Sequence, residues 1–120
     1  TDNGEIDLKR RAIQPAVAAV RLLALKAGIS VTGTLDRVAA LGDAGMFDAD
    51  GTDEIGTAFR DVCDILLRAQ ISAFDAGRDV NNRVALASLT PSRKQALRSA
   101  LRIIEKLAAR ARSEFTGTTL

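Results

Sequence analysis

The 120-residue chain contains no histidine, no tryptophan and no tyrosine, and its single cysteine is Cys63. Without an imidazole, no Ser-His-Asp or Cys-His nucleophile assembles, no His-containing zinc site forms, and no histidine serves as general base. Lacking Tyr and Trp, the chain cannot offer those rings as stacking platforms for bases. A lone cysteine makes neither an intrachain disulfide nor a Cys-rich metal site, a usage that fits a reducing cytoplasm. No secretory signal occurs, and no apolar run approaches the roughly 18 residues a membrane helix needs. The net charge of +2 is too small by itself to indicate a nucleic-acid partner. The chain opens on Thr1 rather than Met, and is expected to be a piece of something longer.

What is present favours helices. Ala and Leu supply most of the apolar residues, and the four aromatic residues are all Phe. That bias, in a chain of single-domain length, points to an all-α fold with a real core. Residues 1–6 (TDNGEI) read as a polar linker and 116–120 as a tail, leaving 7–115 as one helical domain.

A first helix is expected from Gln14-Pro15, since proline suits the first helical positions, with Gly28 as its stop. Its apolar stripe is Ile13, Val17, Val20, Ala24 and Ala27, at 4-3-4-3 spacing. A second runs from about Thr34 to Ala44 with Leu35, Val38, Ala39 and Leu41 inward. A third, the longest, is capped by Thr52, with Asp53 and Glu54 on the positive end of its dipole. Ile55, Phe59, Val62, Leu66 and Ala69 are its seam, and Gly77 ends it. Residues 78–89 read as a long polar connection. Thr90-Pro91 then opens a last helix whose seam is Leu97, Leu101, Ile104, Ala108, Ala111 and Phe115. The expectation is a bundle of four main helices, with a further turn fitting near residues 7–13, and no convincing strand.

Three motifs invite chemistry. Asp48 and Asp50 in "DADGTDEI" imitate the start of a calcium loop, but Asp53 stands where the loop needs glycine and Phe59 where it needs glutamate. A capped turn is the better reading. "GISVTGT" (28–34) has the glycine spacing of a phosphate-binding loop but has Thr34 in place of lysine, with no strand before it. Cys63 reads as a packed side chain. In the last helix Lys94, Arg98, Arg102, Lys106 and Arg110 recur every four residues, and like charges so spaced repel by a few tenths of a kcal/mol. Either acids of the third helix (Asp61, Asp64, Asp75) partly neutralise a solvated face, or the strip meets phosphates. The missing aromatics favour the former and speak against nucleic acid.

Taken in order, "GEIDLKRRAIQPAVAAVRLLALKAGI", "TLDRVAAL", "DEIGTAFRDVCDILLRAQISAFDAGRDVNN" and "LTPSRKQALRSALRIIEKLAARARSEF" resemble the putative nucleotidyltransferase substrate-binding domain family. The Asp-Leu-Lys opening, the Arg-Leu-Leu-Ala-Leu core and the Leu-Thr-Pro before the last helix carry the resemblance, over about residues 4–115. It implies the C-terminal region of bacterial signal-transduction proteins that also hold cyclic-nucleotide-binding, CBS and nucleotidyltransferase domains. It further implies a non-catalytic helical bundle beside a catalytic domain related to PII uridylyltransferase, which would use magnesium and a nucleoside triphosphate. The fragment itself would need no cofactor. Its partners would be that catalytic domain of the same chain and an acceptor substrate of unspecified identity. Matching positions are Asp7, Lys9, Arg21, Arg37 and Asn81-Asn82, with Arg10 and Arg11 where family members often have glycine. Lys9, Arg10 and Arg11 then either line an interdomain mouth that neutralises an anion or are linker charges in water. A rival reading is an interaction module: the first helix is apolar nearly all round, so one face would take a partner or a second copy of the chain.

Overall fold

The computed structural model describes residues 4–117. A short strand, β1 (Glu5–Asp7), leads through a wide helical turn (Lys9–Ile13) into α1 (Gln14–Lys26). Then come α2 (Thr34–Asp43), α3 (Ala49–Asp75), a second strand β2 (Arg83–Ala85), and α4 (Pro91–Arg112), which runs into another wide turn, Ser113–Gly117. The four-helix all-α bundle is therefore present, and so is the additional turn near residues 7–13. None of the described helices is long and apolar enough to cross a membrane.

Pro15 explains the wide first turn. It has no N–H to return to the carbonyl one turn back, and its ring crowds that carbonyl. The preceding backbone opens accordingly, and the Gln14 N–H donates to the Lys9 carbonyl, five residues away, as in a π-type turn. Asp7 steadies the same turn, its Oδ1 accepting from the Arg10 backbone N–H at 3.0 Å.

The helices differ from expectation in several details: in α2 Leu35 and Ala39 are exposed, and α4 buries Ala100 and Leu107 while Phe115, beyond its end, is exposed. α3 starts one turn earlier than Thr52, because Asp48 holds an extended backbone and its carboxylate accepts the Gly51 N–H at 2.6 Å. Thr52 lies inside that turn, its hydroxyl donating to the Asp48 carbonyl at 2.8 Å. In α1 the inward face is turned about one residue from the expected stripe. Ala16, Ala19, Val20, Leu23 and Ala24 are buried, Ile13 and Val17 only half so, and Ala27 is exposed. α1 packs on both α2 and α4, and a ridge of alanines lets those helix axes approach where larger side chains would hold them apart.

No strand was expected, yet the ribbon forms. β1 and β2 pair antiparallel with Glu5 opposite Ala85, Ile6 opposite Val84 and Asp7 opposite Arg83. Ile6 and Val84 point inward and are 4% and 1% exposed. Glu5 and Ile6, read as linker, thus lie in the folded body; residues 1–3 of that linker and 118–120 of the tail fall outside the described residues. One apolar cluster joins the ribbon and Leu8 to Ala12, Val62, Ile65, Leu97 and Ile104. A second, at the other end, gathers Val20, Leu23, Val38, Leu41, Phe47 and Leu107.

Candidate functional site

Gly77 ends α3 in the left-handed region (φ +70) that favours glycine, and the Arg78 N–H donates back to the Ala73 carbonyl at 2.8 Å, closing the helix as a Schellman-type cap. The connection that leaves this turn walls a polar cleft of about 350 Å³. Its other walls are the last turns of α3, the outer face of the ribbon and the start of α4. Arg68, Arg78, Arg83 and Arg93 line it, together with Glu5, Asp79 and Asn81.

The four arginines are not equivalent. Arg68 Nε lies 3.0 Å from Asp64 Oδ2, one turn earlier on α3, and Arg93 Nη1 lies 3.7 Å from the same oxygen. Arg78 and Arg83 enter no ion pair among the described residues. At the floor Thr90 caps α4, its hydroxyl accepting the Arg93 N–H at 3.2 Å and its carbonyl the Lys94 N–H at 2.9 Å; with no N–H on Pro91, the Ser92 N–H is left at the positive end of the helix dipole. Guanidinium forks suit a carboxylate or phosphate, and the positive end of the helix dipole favours the same charge. Glu5 and Asp79 provide acceptors for hydroxyl or amine groups of the same ligand.

Asn81 and Asn82 set the shape of this wall. Gln70 Nε2 donates to the Asn81 carbonyl at 2.9 Å and to Asn82 Oδ1 at 3.3 Å. Asn81 Oδ1 accepts the Arg83 N–H at 2.8 Å, and the Asn82 carbonyl accepts the Leu8 N–H at 2.9 Å. The pair thereby ties the connection to α3 and to β1. Asp7, opposite Arg83, belongs to the same end of the molecule.

The other residues singled out from sequence do not join this group. Lys9, Arg10 and Arg11 are exposed on the wide turn. Arg21 is exposed on α1, twelve residues and roughly 18 Å of helix beyond Lys9. Arg37 stays at the start of α2, where its Nε donates to the Val31 carbonyl at 3.0 Å, and so braces its own loop. Arg68, Arg78, Arg83 and Arg93 were missed by sequence reasoning. The available signal was Arg78 and Arg83 flanking the Asn-Asn pair in a connection otherwise read as irregular.

A second, apolar groove of about 310 Å³ runs beside α4 on a different face. Ile6, Leu86, Leu97 and Leu101 form its floor, Arg11, Lys94 and Arg98 its rim, and no carboxylate lines it. The basic strip of α4 is not neutralised by α3 as expected. Among the described residues Asp64 pairs with Arg68 and Arg93, and no ion pair links Asp61 or Asp75 to the strip. Among the described residues Arg110 alone of the five forms an ion pair, with Glu114 at 3.8 Å, and it also lies over the Phe47 ring, 5.6 Å from the centroid.

The remaining motifs have structural employment. Asp48 caps α3, as a capped turn requires, and no group of three or more metal-ligating side chains clusters among the described residues. Cys63 is half-buried on α3, and desolvation pushes its thiol pKa up.

A family model described as "Putative nucleotidyltransferase substrate binding domain" matches residues 1–115. No curated protein and no solved structure matches the chain.

Proposed function

The chain belongs to this family of nucleotidyltransferase substrate-binding domains, and on that premise we propose that it presents an acceptor to a catalytic domain elsewhere in its parent polypeptide. The observation that supports this reading is the arginine-lined cleft at the ribbon end. Arg78 and Arg83 hold an anionic group of the acceptor, and the first turn of α4 assists through the positive end of its dipole. The Asn81-Asn82 wall keeps those arginines in place, and Lys9 and Arg10 raise the positive potential just outside. Nucleotidyl transfer, with its magnesium ion and nucleoside triphosphate, belongs to the other domain, which we place in the PII-uridylyltransferase-related group.

Labelled nucleoside triphosphates test the division of labour. The isolated 120-residue chain with magnesium is expected to transfer no label, and turnover by this fragment would remove the proposal. In the full-length parent, Arg78→Gln with Arg83→Gln is expected to lower labelling of the acceptor about tenfold or more, as loss of charge-assisted hydrogen bonds does. Nucleoside triphosphate binding by that parent is expected to stay unchanged. Undiminished acceptor labelling would place the acceptor elsewhere.

A second reading rests on a separate observation. Leu67, Ile71 and Phe74 follow one face of α3 at helical spacing and are 55%, 51% and 75% exposed. Such a stripe suits an interaction or dimerisation surface. Light scattering that finds only monomer at high concentration would count against a second copy of the chain there.

A further inference from the structure

The groove beside α4 combines two properties that the arginine cleft lacks. Its floor is apolar, with Leu86, Leu97 and Leu101, and its rim carries Arg11, Lys94 and Arg98 with no carboxylate among the lining residues. Lys94 and Arg98 stand one turn apart on α4, about 6 Å along its axis, whereas Lys106 faces a separate groove that also holds Asp48 and Glu54. Among the described residues Arg11, Lys94 and Arg98 enter no ion pair, and like charges one turn apart on a helix repel.

We infer that this groove docks an acidic amphipathic helix of a partner protein, its carboxylates facing Lys94 and Arg98 and an apolar side chain seated over Leu86 and Leu101. The match is one of period as well as sign. Two glutamates four residues apart on a helix repeat at the same ~6 Å, so a helix lying over the groove meets Lys94 and Arg98 together. The apolar floor sets the choice of class. A phosphate backbone answers the charges but has nothing to place over leucines, whereas the non-polar face of a helix does. Arg11 approaches from the wide turn on the opposite rim and closes the groove around the end of the docked segment. The inference does not depend on the arginine cleft, which lies on another face.

The probe is a fluorescein-labelled amphipathic peptide of about 16 residues, long enough for ~24 Å of helix, with glutamate at every fourth position and leucines on the adjacent face. Its comparators are a polyglutamate of equal charge and a DNA duplex of similar length. Fluorescence anisotropy with the 120-residue chain is expected to show the leucine-bearing peptide binding about tenfold tighter than either comparator. Lys94→Glu with Arg98→Glu is expected to weaken that binding by about tenfold, since exposed ion pairs each contribute a few-fold. Leu86→Ser, its fold checked by circular dichroism, is expected to reduce the affinity for the leucine-bearing peptide and leave polyglutamate binding as it was. Equal affinity for polyglutamate or DNA would make the surface a general polyanion strip and overturn the inference. So would the absence of peptide binding, or binding indifferent to the charge reversal.

Discussion

Replacing Ile6 by alanine separates a linker residue from a core residue by a wide margin. In a polar lead-in the change would be worth almost nothing, as at most surface positions. In the structure Ile6 is 4% exposed and packs with Leu8, Val84 and Leu97. The substitution removes three carbons, each contributing about 0.8 kcal/mol when buried, or roughly 2.4 kcal/mol in transfer energy. A residual cavity adds about 24 cal/mol for every Å³ that does not collapse. The expected loss is therefore about 2.5–4 kcal/mol, read as a lower urea midpoint at unchanged slope in circular dichroism. The ribbon has only three residue pairs, so part of the loss can appear as local opening. Hydrogen exchange of the Leu8 amide, which donates to the Asn82 carbonyl, reports that opening directly. A destabilisation under about 0.5 kcal/mol, with the Leu8 amide still protected, would refute the placement of Ile6 in the core and with it the ribbon wall of the cleft.

Gly42 tests the contact between α2 and α3. An added Cβ would collide with the Thr52 hydroxyl and lie 2.9 Å from its methyl group. Helix propensity favours alanine by about 0.8–1 kcal/mol, while overpacking costs about 1–3 kcal/mol. Gly42→Ala is thus expected to lower the melting temperature, and less so beside Thr52→Ala; a rise would contradict the close approach. Asp48→Ala is expected to cost about 1 kcal/mol in urea unfolding through loss of the cap, with Asp48→Asn retaining most of it. Equal losses for the two would show that the cap is not the cause. Because burial raises the Cys63 pKa, the folded thiol stays protonated as pH climbs through the ordinary cysteine range. Iodoacetamide should alkylate it more slowly near neutrality than it does the urea-unfolded chain, the gap narrowing at high pH; matching rates at neutral pH would contradict the desolvation.

The helices were legible because their signals are local and repeated. Pro15, Gly28, Gly77 and the Thr90-Pro91 pair mark ends through backbone chemistry that needs no tertiary context. What failed depends on neighbours. Two three-residue strands far apart in sequence carry too little pattern to be seen singly, and only pairing reveals that Ile6 and Val84 share an inner face. The α1 stripe was misplaced by about one residue because its spacing was counted from Ile13 and Val17, which the structure leaves half-buried. The packed bundle instead uses Ala16 and Ala19 there, and leaves Leu22 and Leu25 41% and 70% exposed. Asp7 and Asn82 lie at the ribbon end, where Asp7 accepts the Arg10 N–H and Asn82 accepts from Gln70 and Leu8. The arginines of the cleft come from α3, the connection, the ribbon and α4, a convergence no single window of sequence contains.

Lys26 has a geometric consequence of its own. Its ammonium donates to the Glu114 carbonyl at 2.7 Å, lies 3.6 Å from that residue's carboxylate, and sits 5.8 Å from the Phe115 ring centroid. It pins the end of α1 to the end of α4, while both helices begin near the ribbon, so the two run side by side in the same direction. The first and last described residues therefore emerge from opposite poles of a body 48 Å long. Dyes attached at residues 4 and 117 would sit tens of Å apart. Energy transfer between them would register bending of this rod, and an attachment at one pole could not fold back on the other without leaving the helical body between them.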